Sequence, residues 1–217
     1  MGLILGTDDA GRGPVIGPMV ISGVVIDEKD LAKLSAIGVK DSKLLTPKRR
    51  EEIYDKIIKT VKDCKIVIIP PKEIDEAVES ETTNLNWLEG QKFAIIINAL
   101  KPDMAIVDCP STNTQAFTDY LRKFLKSDVK LKCEHKADLR FVVVGAASIL
   151  SKVTRDREIE KIKTKIGVDF GSGYPADPKT QTFLKKYWNK FPEIFRHSWS
   201  TYKNVSGEKK QKKLGEF

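Results

Sequence analysis

The sequence predicts an α/β fold in which helices cover a mixed β-sheet. Two observations lead to this prediction. Apolar, β-branched runs at residues 3–8, 19–27 and 65–69 indicate three strands near the start of the chain. From residue 84 onward, helix-like and strand-like segments alternate. Alternation of this kind is typical of parallel strands joined by helices, so we expect the last strands of the sheet to run parallel.

The elements follow in order along the chain. A glycine-rich turn at 10–18 joins the first two runs, and a helix is expected to begin near Thr46 because threonine is a good N-cap and Pro47 suits the first helical position. Residues 84–100 have a helical pattern and precede a short strand that ends at Asp108. The later predictions are an amphipathic helix through Phe117, Leu121 and Phe124, a strand over 129–135 and a long helix over 146–166.

The composition changes after residue 166. Residues 167–180 are rich in Gly, Pro and Asp, which is typical of a loop, and a helix carrying Phe183, Leu184, Tyr187 and Trp188 follows. We therefore predict a main domain over 1–166, a loop with a small C-terminal helical appendage over 167–205, and a flexible basic tail over 206–217.

Charge and length restrict the classes of function. The chain has 38 Lys and Arg against 30 Asp and Glu, and the resulting charge of +8 favours a polyanionic partner, although many basic enzymes have none. The first residues lack a basic leader, and no apolar run reaches the roughly 18 residues of a membrane span. We expect a cytoplasmic monomer that does not bind membranes. Cys64, Cys109 and Cys133 match neither a zinc site nor a disulfide framework and are expected to be reduced.

Aspartates stand where predicted strands end. Asp8 and Asp108 end two of the strands, Asp138 follows a third, and Asp9 adjoins Asp8. Carboxylates that converge in a cleft repel one another unless a divalent cation neutralises them, and oxygen ligands suit Mg²⁺ or Mn²⁺. Aspartates are also common as turn and cap residues, and the spacing alone does not decide between these interpretations.

Six blocks of sequence carry a family resemblance that favours the metal-site interpretation of these aspartates. They resemble, in order, the blocks of ribonuclease HII, the type 2 ribonuclease H, in its archaeal form, and the resemblance extends from Ile4 to Tyr202. The blocks are GTDDAGRGPVIGP, VKDSKLLTPKRRE, VDCPSTNT, EHKAD, GAASILSKVTRD and DFGSGYPADPKT. The resemblance implies a ribonuclease H-like fold, with a mixed five-stranded sheet flanked by helices and a C-terminal helical part that helps to clamp the substrate.

The resemblance also implies a metal site. Its acidic positions fall on Asp8, Asp9, Asp108 and Asp138, which would hold two Mg²⁺ or Mn²⁺ ions when substrate is bound. The family usually has Asp-Glu before Ala-Gly-Arg-Gly, whereas this chain has Asp8-Asp9, so the second carboxylate is shorter by one methylene.

Substrate contacts are implied for two motifs. Gly11-Arg12-Gly13 matches the family's glycine-basic-glycine loop, which approaches the nucleic-acid backbone at an RNA–DNA junction. Glycines let backbone N–H groups come close to phosphate and 2′-hydroxyl oxygens, and Arg12 adds charge. Tyr174 matches the tyrosine that stacks on the deoxyribose after the ribonucleotide. Without the family, these residues would be read as a tight turn and a loop aromatic.

Other residues carry weaker predictions. Lys43, Arg196 and Ser198 fall in blocks that resemble phosphate-contacting parts of the family. Asn84 and Asn86 either face the DNA strand or cap a helix. His135 and His197 have no matched zinc ligands or nucleophile and are expected to be structural.

The C-terminus ends in a short peptide of a recognisable spacing. Gln211, Leu214 and Phe217 resemble the peptide by which replication proteins bind the sliding clamp. Leu214 and Phe217 would share one face of a helical turn and present two apolar anchors. A solvated basic tail is the alternative interpretation.

The resemblance implies a metal-dependent endonuclease. The expected activity is hydrolysis of the RNA strand of RNA–DNA hybrids and incision 5′ to single ribonucleotides in duplex DNA, leaving 3′-hydroxyl and 5′-phosphate ends. An alternative interpretation, based on the shorter side chain of Asp9, is a protein that binds hybrids without cutting them. A ribonuclease H-fold nuclease for branched DNA is a further alternative, but Gly11-Arg12-Gly13 and Tyr174 argue against it.

Overall fold

The structure is a computed structural model that describes residues 2–39 and 45–214, with side chains described up to Gly207. Two residues with predicted contacts, Lys43 and Phe217, lie outside this part of the chain. Gln211 and Leu214 lie in a described helix, but only their backbone is described.

The sheet is mixed, as predicted. Its five strands lie in the order β3-β2-β1-β4-β5. Strand β1 pairs antiparallel with β2 and parallel with β4, and β4 pairs parallel with β5. The predicted parallel arrangement of the last strands is therefore confirmed. The strands are β1 Leu3–Ala10, β2 Met19–Asp27, β3 Asp63–Ile69, β4 Met104–Asp108 and β5 Lys130–Glu134.

Helices connect and follow the strands. They are α1 Leu31–Ala36, α2 Pro47–Thr60, α3 Pro71–Glu79, α4 Leu85–Leu100, α5 Thr114–Arg122, α6 Ala137–Arg140, α7 Val142–Ile166, α8 Pro178–Tyr187 and α9 Ser200–Leu214, with 3-10 turns at Glu28–Asp30 and Pro192–Ile194. The predicted start of α2 is confirmed, because the Thr46 hydroxyl accepts a hydrogen bond from the Arg49 amide at 3.2 Å.

Several helices differ from the sequence-based expectation. Helices α1, α3 and α6 were not predicted, since segments of 4–9 residues carry too few turns for a clear apolar period. Helix α7 begins at Val142 rather than at Ala146. Burial of Val143 and Val144 in the core outweighs the low helix propensity of β-branched residues.

The C-terminal segment is also different. A flexible tail was predicted over 206–217, whereas the backbone remains helical to Leu214. The prediction relied on the scarcity of core-forming residues. It overlooked the high intrinsic helix propensity of the Lys, Gln, Glu and Leu residues in this segment.

The chain folds into two compact units that do not follow sequence order. Unit 1 comprises the residues up to Ala10, Val20–Ile68 and Leu85–Thr154. Unit 2 comprises Gly11–Met19, Ile69–Asn84 and the chain from Arg155 onward. The linear boundaries predicted from composition placed 11–19, 69–84 and 155–166 in the main domain. Composition cannot show that a loop near the start of the chain shares its core with residues near the end.

Each unit has its own apolar core. In unit 1, β1 and α7 approach closely, since a Cβ atom added at Gly6 would lie 2.4 Å from the carbonyl carbon of Val143. In unit 2, Val15 and Ile16 from the glycine-rich turn are fully buried with residues of the C-terminal part. These partners are Ile159, Phe170, Phe183, Leu184, Ile194, Phe195 and Tyr202.

The remaining expectations concern membranes and cysteines. None of the helices in the described ranges has both the length and the apolar character needed to cross a membrane. Cys64, Cys109 and Cys133 are free thiols. Burial raises the pKa of Cys109 to about 11, so its thiol is protonated and unreactive near neutral pH.

Candidate active site

The sheet positions the predicted carboxylates at one edge of unit 1. Strands β1 and β4 are parallel neighbours, and Thr7 pairs with Val107 in their register. The next residues are Asp108, which ends β4 as predicted, and Asp8, after which β1 continues to Ala10 rather than ending as predicted. The two carboxylates therefore lie on adjacent strands at the point where the β1–β4 pairing ends. Asp138 lies in the first turn of α6, shortly after β5.

Asp8 is the electrostatic centre of this group. Only 4% of its surface is exposed. Its pKa is raised well above the usual value, first by burial and then by the negative charges of Asp9 and Asp108. A hydrogen bond from Ser148 and the positive charge of Lys152 act in the opposite direction. Asp8, Asp9 and Asp108 are therefore close enough to destabilise one another's charge.

Backbone amides orient two of the carboxylates. The Asp9 amide donates to Oδ1 of Asp8 at 2.8 Å, and the Ala137 amide donates to Oδ1 of Asp108 at 2.8 Å. The second bond ties the end of β4 to the start of α6, in which Asp138 is 7% exposed. Lys136 adopts a left-handed backbone conformation, with φ of 54°, to make the turn from β5 into α6.

Helix α7 holds Asp8 from the other side. The Ser151 hydroxyl donates to the backbone carbonyl of Asp8 at 2.9 Å, and the Ser148 side chain hydrogen bonds to its carboxylate. The Lys152 ammonium donates to the Ser148 hydroxyl at 2.8 Å. Sequence analysis missed these three residues. The available signal was polar residues with i, i+3 and i+4 spacing within the otherwise apolar start of α7.

The donor chemistry suits the implied metal ions. Carboxylate oxygens are the ligands that Mg²⁺ and Mn²⁺ prefer. A divalent cation would offset both the burial of the Asp8 charge and the repulsion from Asp9 and Asp108, which together raise the Asp8 pKa. Within residues 2–39 and 45–207, no three His, Cys, Asp or Glu side chains form a ready-made metal site. The assignment of Asp8, Asp9, Asp108 and Asp138 as metal ligands stays a prediction.

Unit 2 brings together the two motifs predicted to sense the substrate. Gly11 has a φ of 85°, which favours glycine, and Gly13 lies against the Tyr174 ring, with 3.6 Å between an added Cβ atom and Cε1. Arg12, between the two glycines, is half-buried. Tyr174 remains 42% exposed, so its ring has a free surface for a ligand.

Arg196 has a different position from the one predicted. It is fully buried, and its guanidinium donates to the carbonyls of Gly11, Arg12 and Gly17 at 2.6, 2.9 and 3.0 Å. Arg196 therefore holds the glycine-rich loop in place and does not present its charge to a phosphate. Sequence analysis could not distinguish these roles, because both use an arginine beside a glycine-rich loop.

Ser198 is likewise used within the protein. Its hydroxyl and amide both donate to Oδ1 of Asp75, and the amide of His197 donates to Oδ2. The single hydroxyl proton of Ser198 is therefore committed to Asp75 on α3, a helix that was not predicted, and the predicted phosphate contact is corrected. The His197 ring stacks on Tyr202 at 4.3 Å between centroids. The His135 ring forms a 3.2 Å hydrogen bond with the Cys109 carbonyl.

A five-stranded mixed sheet with acidic residues on adjacent parallel strands, where the pairing of the two strands ends, defines the ribonuclease H-like class of nucleases. Comparisons with known proteins agree. The model of the family described as Ribonuclease HII matches residues 5–202. A ribonuclease HII from Pyrococcus horikoshii is 46% identical over 207 residues, which cover 93% of this chain and 92% of the relative. The chain belongs to the ribonuclease HII family.

Solved structures support the same assignment. The crystal structure of ribonuclease H2 from Pyrococcus horikoshii OT3 has a TM-score of 0.89 and 44% identity, covering 96% of this chain and 99% of that one. The ribonuclease HII of Archaeoglobus fulgidus, solved in complex with PCNA, has a TM-score of 0.84 and 38% identity, with coverage of 93% and 96%. The family consists of endonucleases that hydrolyse RNA in RNA–DNA hybrids, and this chain is an enzyme of that kind.

Proposed function

We propose that the chain cuts the RNA strand of RNA–DNA hybrids and also incises 5′ to a single ribonucleotide in duplex DNA, leaving 3′-hydroxyl and 5′-phosphate ends. The observation that carries this proposal is the group of mutually repelling carboxylates around Asp8. Such a group is stable in its charged form only with a cation, and metal-assisted phosphodiester hydrolysis uses a site of this kind.

The residues of the chain have distinct parts in this proposal. Asp8, Asp9, Asp108 and Asp138 would hold two divalent cations, and these would supply an activated water and charge stabilisation for the leaving oxygen. Ser148, Ser151 and the Ala137 amide orient Asp8 and Asp108. Ligands whose orientation is already fixed lose less entropy on binding and hold their ions in a defined geometry.

Discrimination between RNA and DNA is assigned to unit 2. The backbone of Gly11-Arg12-Gly13 would approach the phosphate and 2′-hydroxyl of the ribonucleotide, and Tyr174 would stack on the deoxyribose that follows. The contact between Gly13 and Tyr174 supports a joint action. A 2′-hydroxyl is the group by which a protein tells RNA from DNA at one position.

A substrate panel tests the proposed function. The protein is incubated with a duplex containing one ribonucleotide, a long RNA–DNA hybrid and an all-DNA duplex, with Mg²⁺, Mn²⁺ or a chelator, and the cuts are mapped. We expect metal-dependent incision 5′ to the ribonucleotide and no cutting of the all-DNA duplex. Cutting of branched all-DNA substrates would support the branched-DNA alternative, and binding without cleavage would support a hybrid-binding protein.

The shorter side chain at Asp9 leads to a separate prediction. The Asp9→Glu variant is expected to retain full activity or to gain activity, because the longer carboxylate restores the family's usual reach toward a metal ion. The wild type is expected to be active as well, since a retracted carboxylate can act through a water molecule. Steady-state kinetics with Mg²⁺ and Mn²⁺ measure both variants, and a much lower activity of Asp9→Glu with either ion would refute the idea.

The C-terminal segment is proposed to bind a replication sliding clamp. Support comes from the spacing of Gln211, Leu214 and Phe217 and from the complex that the Archaeoglobus fulgidus relative forms with PCNA. Helix α9 reaches Leu214, so Gln211 and Leu214 lie three residues apart on a helical backbone. Residues with that separation share one face of a helix.

Deletion of residues 211–217 is expected to abolish clamp binding while nuclease turnover on a short free duplex is unchanged. Calorimetry with the purified clamp measures binding. Lys212→Ala combined with Lys213→Ala is the matched control, because it removes charge but keeps the three motif residues. Unchanged binding after the deletion, or equal loss in the control, would show that the motif is not the anchor.

A further inference from the structure

We propose that Arg155 is a positioning residue that sets the spacing between the Gly11-Arg12-Gly13 loop and Tyr174, and so determines the preference of the enzyme for an RNA–DNA junction. This inference rests on the proposed function, because it concerns how the junction is sensed. Neither the sequence nor the family comparison assigned a role to Arg155.

The burial of Arg155 is the first observation. The residue is 6% exposed, although charged side chains are rarely buried to this extent without a partner. Within the described side chains, Arg155 forms an ion pair with the neighbouring Asp156, which is long at 3.7 Å and has a half-exposed carboxylate. So long an ion pair with a half-exposed carboxylate contributes little. The burial of Arg155 must therefore be explained by its other contacts.

One side of the Arg155 side chain packs closely against Gly11. A Cβ atom added at Gly11 would lie 2.5 Å from both Cδ and Nε of Arg155, so no other residue fits this position without displacing the arginine. Nε is buried and has no hydrogen-bond partner in the part of the chain that the structure describes. The packing of the Arg155 side-chain stem on the backbone of the Gly11-Arg12-Gly13 loop offsets the free-energy cost of this unpaired donor.

The other side of Arg155 supports Tyr174. Its Cζ atom lies 5.1 Å from the centroid of the Tyr174 ring, within the range of a cation–π interaction. Its Nη2 atom donates to the Ser172 carbonyl at 3.0 Å, which fixes the plane of the guanidinium beneath the ring. Gly11 and Tyr174 thus contact the same side chain from different sides.

The Gly11-Arg12-Gly13 loop and the backbone next to Tyr174 each have hydrogen bonds that do not involve Arg155. Arg196 holds the carbonyls of Gly11 and Arg12, and the Gly173 carbonyl accepts a hydrogen bond from the Val15 amide at 2.9 Å. Loss of Arg155 is therefore expected to leave these backbone positions intact. The Tyr174 ring, in contrast, would lose the support that sets its orientation and its distance from the loop.

The test compares two substrates in one set of variants. Arg155→Met keeps most of the stem but removes the guanidinium, and Arg155→Lys keeps the charge but removes the planar group. We expect Arg155→Met to lower kcat/KM for a duplex with a single ribonucleotide about ten-fold more than kcat/KM for a long hybrid, the size of one lost cation–π contact. Arg155→Lys should give a smaller loss of preference, and the exposed Arg122→Met control should give none.

A double-mutant cycle separates positioning from a general structural role. If Arg155 acts through Tyr174, Arg155→Met should cause no further loss of preference in the Tyr174→Ala background. Equal losses on both substrates, or additive effects in the cycle, would overturn the inference. If Arg155→Met does not fold, unchanged preference in Arg155→Lys is the overturning result. A wild type that does not incise at single ribonucleotides would refute the proposed function itself. The activity of the wild type on this substrate is therefore measured before any variant is compared.

Discussion

The Asp8→Asn variant is expected to lose RNA cleavage by about 10³-fold or more and to be more stable than the wild type in the absence of metal at neutral pH. The loss follows because a metal ligand contributes several kcal/mol of transition-state stabilisation, and each 1.36 kcal/mol is a factor of ten. The gain follows because asparagine is neutral, so the repulsion from Asp9 and Asp108 at this buried position disappears.

The pH dependence of that gain has a definite sign. The pKa of Asp8 is raised in the folded protein above its usual 3.8, so the folded state holds this proton to higher pH than the unfolded state. As pH rises from 3.8 through the raised pKa, the free energy of unfolding therefore decreases. The stability difference between Asp8→Asn and the wild type should be largest above the raised pKa and should vanish as pH approaches 3.8.

Thermal or urea unfolding with a chelator at several pH values measures this difference. For a chain of this size, each kcal/mol of relieved repulsion corresponds to about 2–4 °C in Tm. Mn²⁺ is expected to stabilise the wild type more than Asp8→Asn. The exposed Asp128→Asn variant is the control and should change neither property. A less stable Asp8→Asn protein at pH 7 would contradict the electrostatic account of the site.

Much of the sheet could be predicted because its strands have simple local patterns. The apolar runs that became β1, β2 and β4 are short, β-branched and bounded by turn residues, and the alternation of strand and helix indicated parallel neighbours. Thr46 and Pro47 likewise gave α2 a start that depends on only a few adjacent residues. Features of this kind are determined locally and can be read from a single sequence.

The carboxylates were accessible from the sequence only in part. The position at a strand end was predicted correctly for Asp108, whereas β1 continues two residues beyond Asp8. That these residues come from adjacent strands depends on the register of β1 with β4. The family resemblance supplied what local patterns could not. The burial and the repulsion from Asp9 and Asp108 that raise the Asp8 pKa became visible only in the folded structure.

Long-range contacts explain the errors. Arg196 and Gly11 are separated by 185 residues, and nothing near either residue indicates that a buried guanidinium binds the loop carbonyls. Ser198 and Asp75 are separated by 123 residues, and Asp75 lies on a helix that was itself missed. Such contacts reverse the expected part of a residue from substrate binding to structural support. Long-range contacts also explain why the boundaries of the two compact units could not be predicted from local composition.

Ser148→Ala is expected to weaken both metal binding and turnover by about ten- to a hundred-fold, the usual effect of removing a group that orients a metal ligand. The Ser148 hydroxyl hydrogen bonds to the Asp8 carboxylate and accepts from the Lys152 ammonium at 2.8 Å. Without it, the Asp8 carboxylate keeps the bond from the Asp9 amide but loses a second bond that fixes its orientation, and the Lys152 ammonium loses its link to the site. KM for the substrate should change little, because neither residue is assigned a contact with the nucleic acid.

Lys152→Met should show a similar effect, because Lys152 acts on Asp8 through Ser148 as well as through its charge. Calorimetric titration with Mn²⁺ in the absence of substrate separates metal affinity from turnover. A high metal concentration should restore much of the activity of both variants. A purely structural defect would not be corrected by added metal. The effects should also be less than additive in the Ser148→Ala, Lys152→Met double variant.

Lys161→Met is the matched control, since this lysine lies on the same helix α7 but is exposed and pairs with Glu158 at 2.6 Å. It should leave metal affinity and kcat unchanged. Arginine at position 152 offers a further distinction, because Lys152→Arg keeps the charge and a donor and should retain more activity than Lys152→Met. Equal metal affinity in the wild type, Ser148→Ala and Lys152→Met would show that the bonds from the Ser151 hydroxyl and the Asp9 amide are sufficient to hold Asp8.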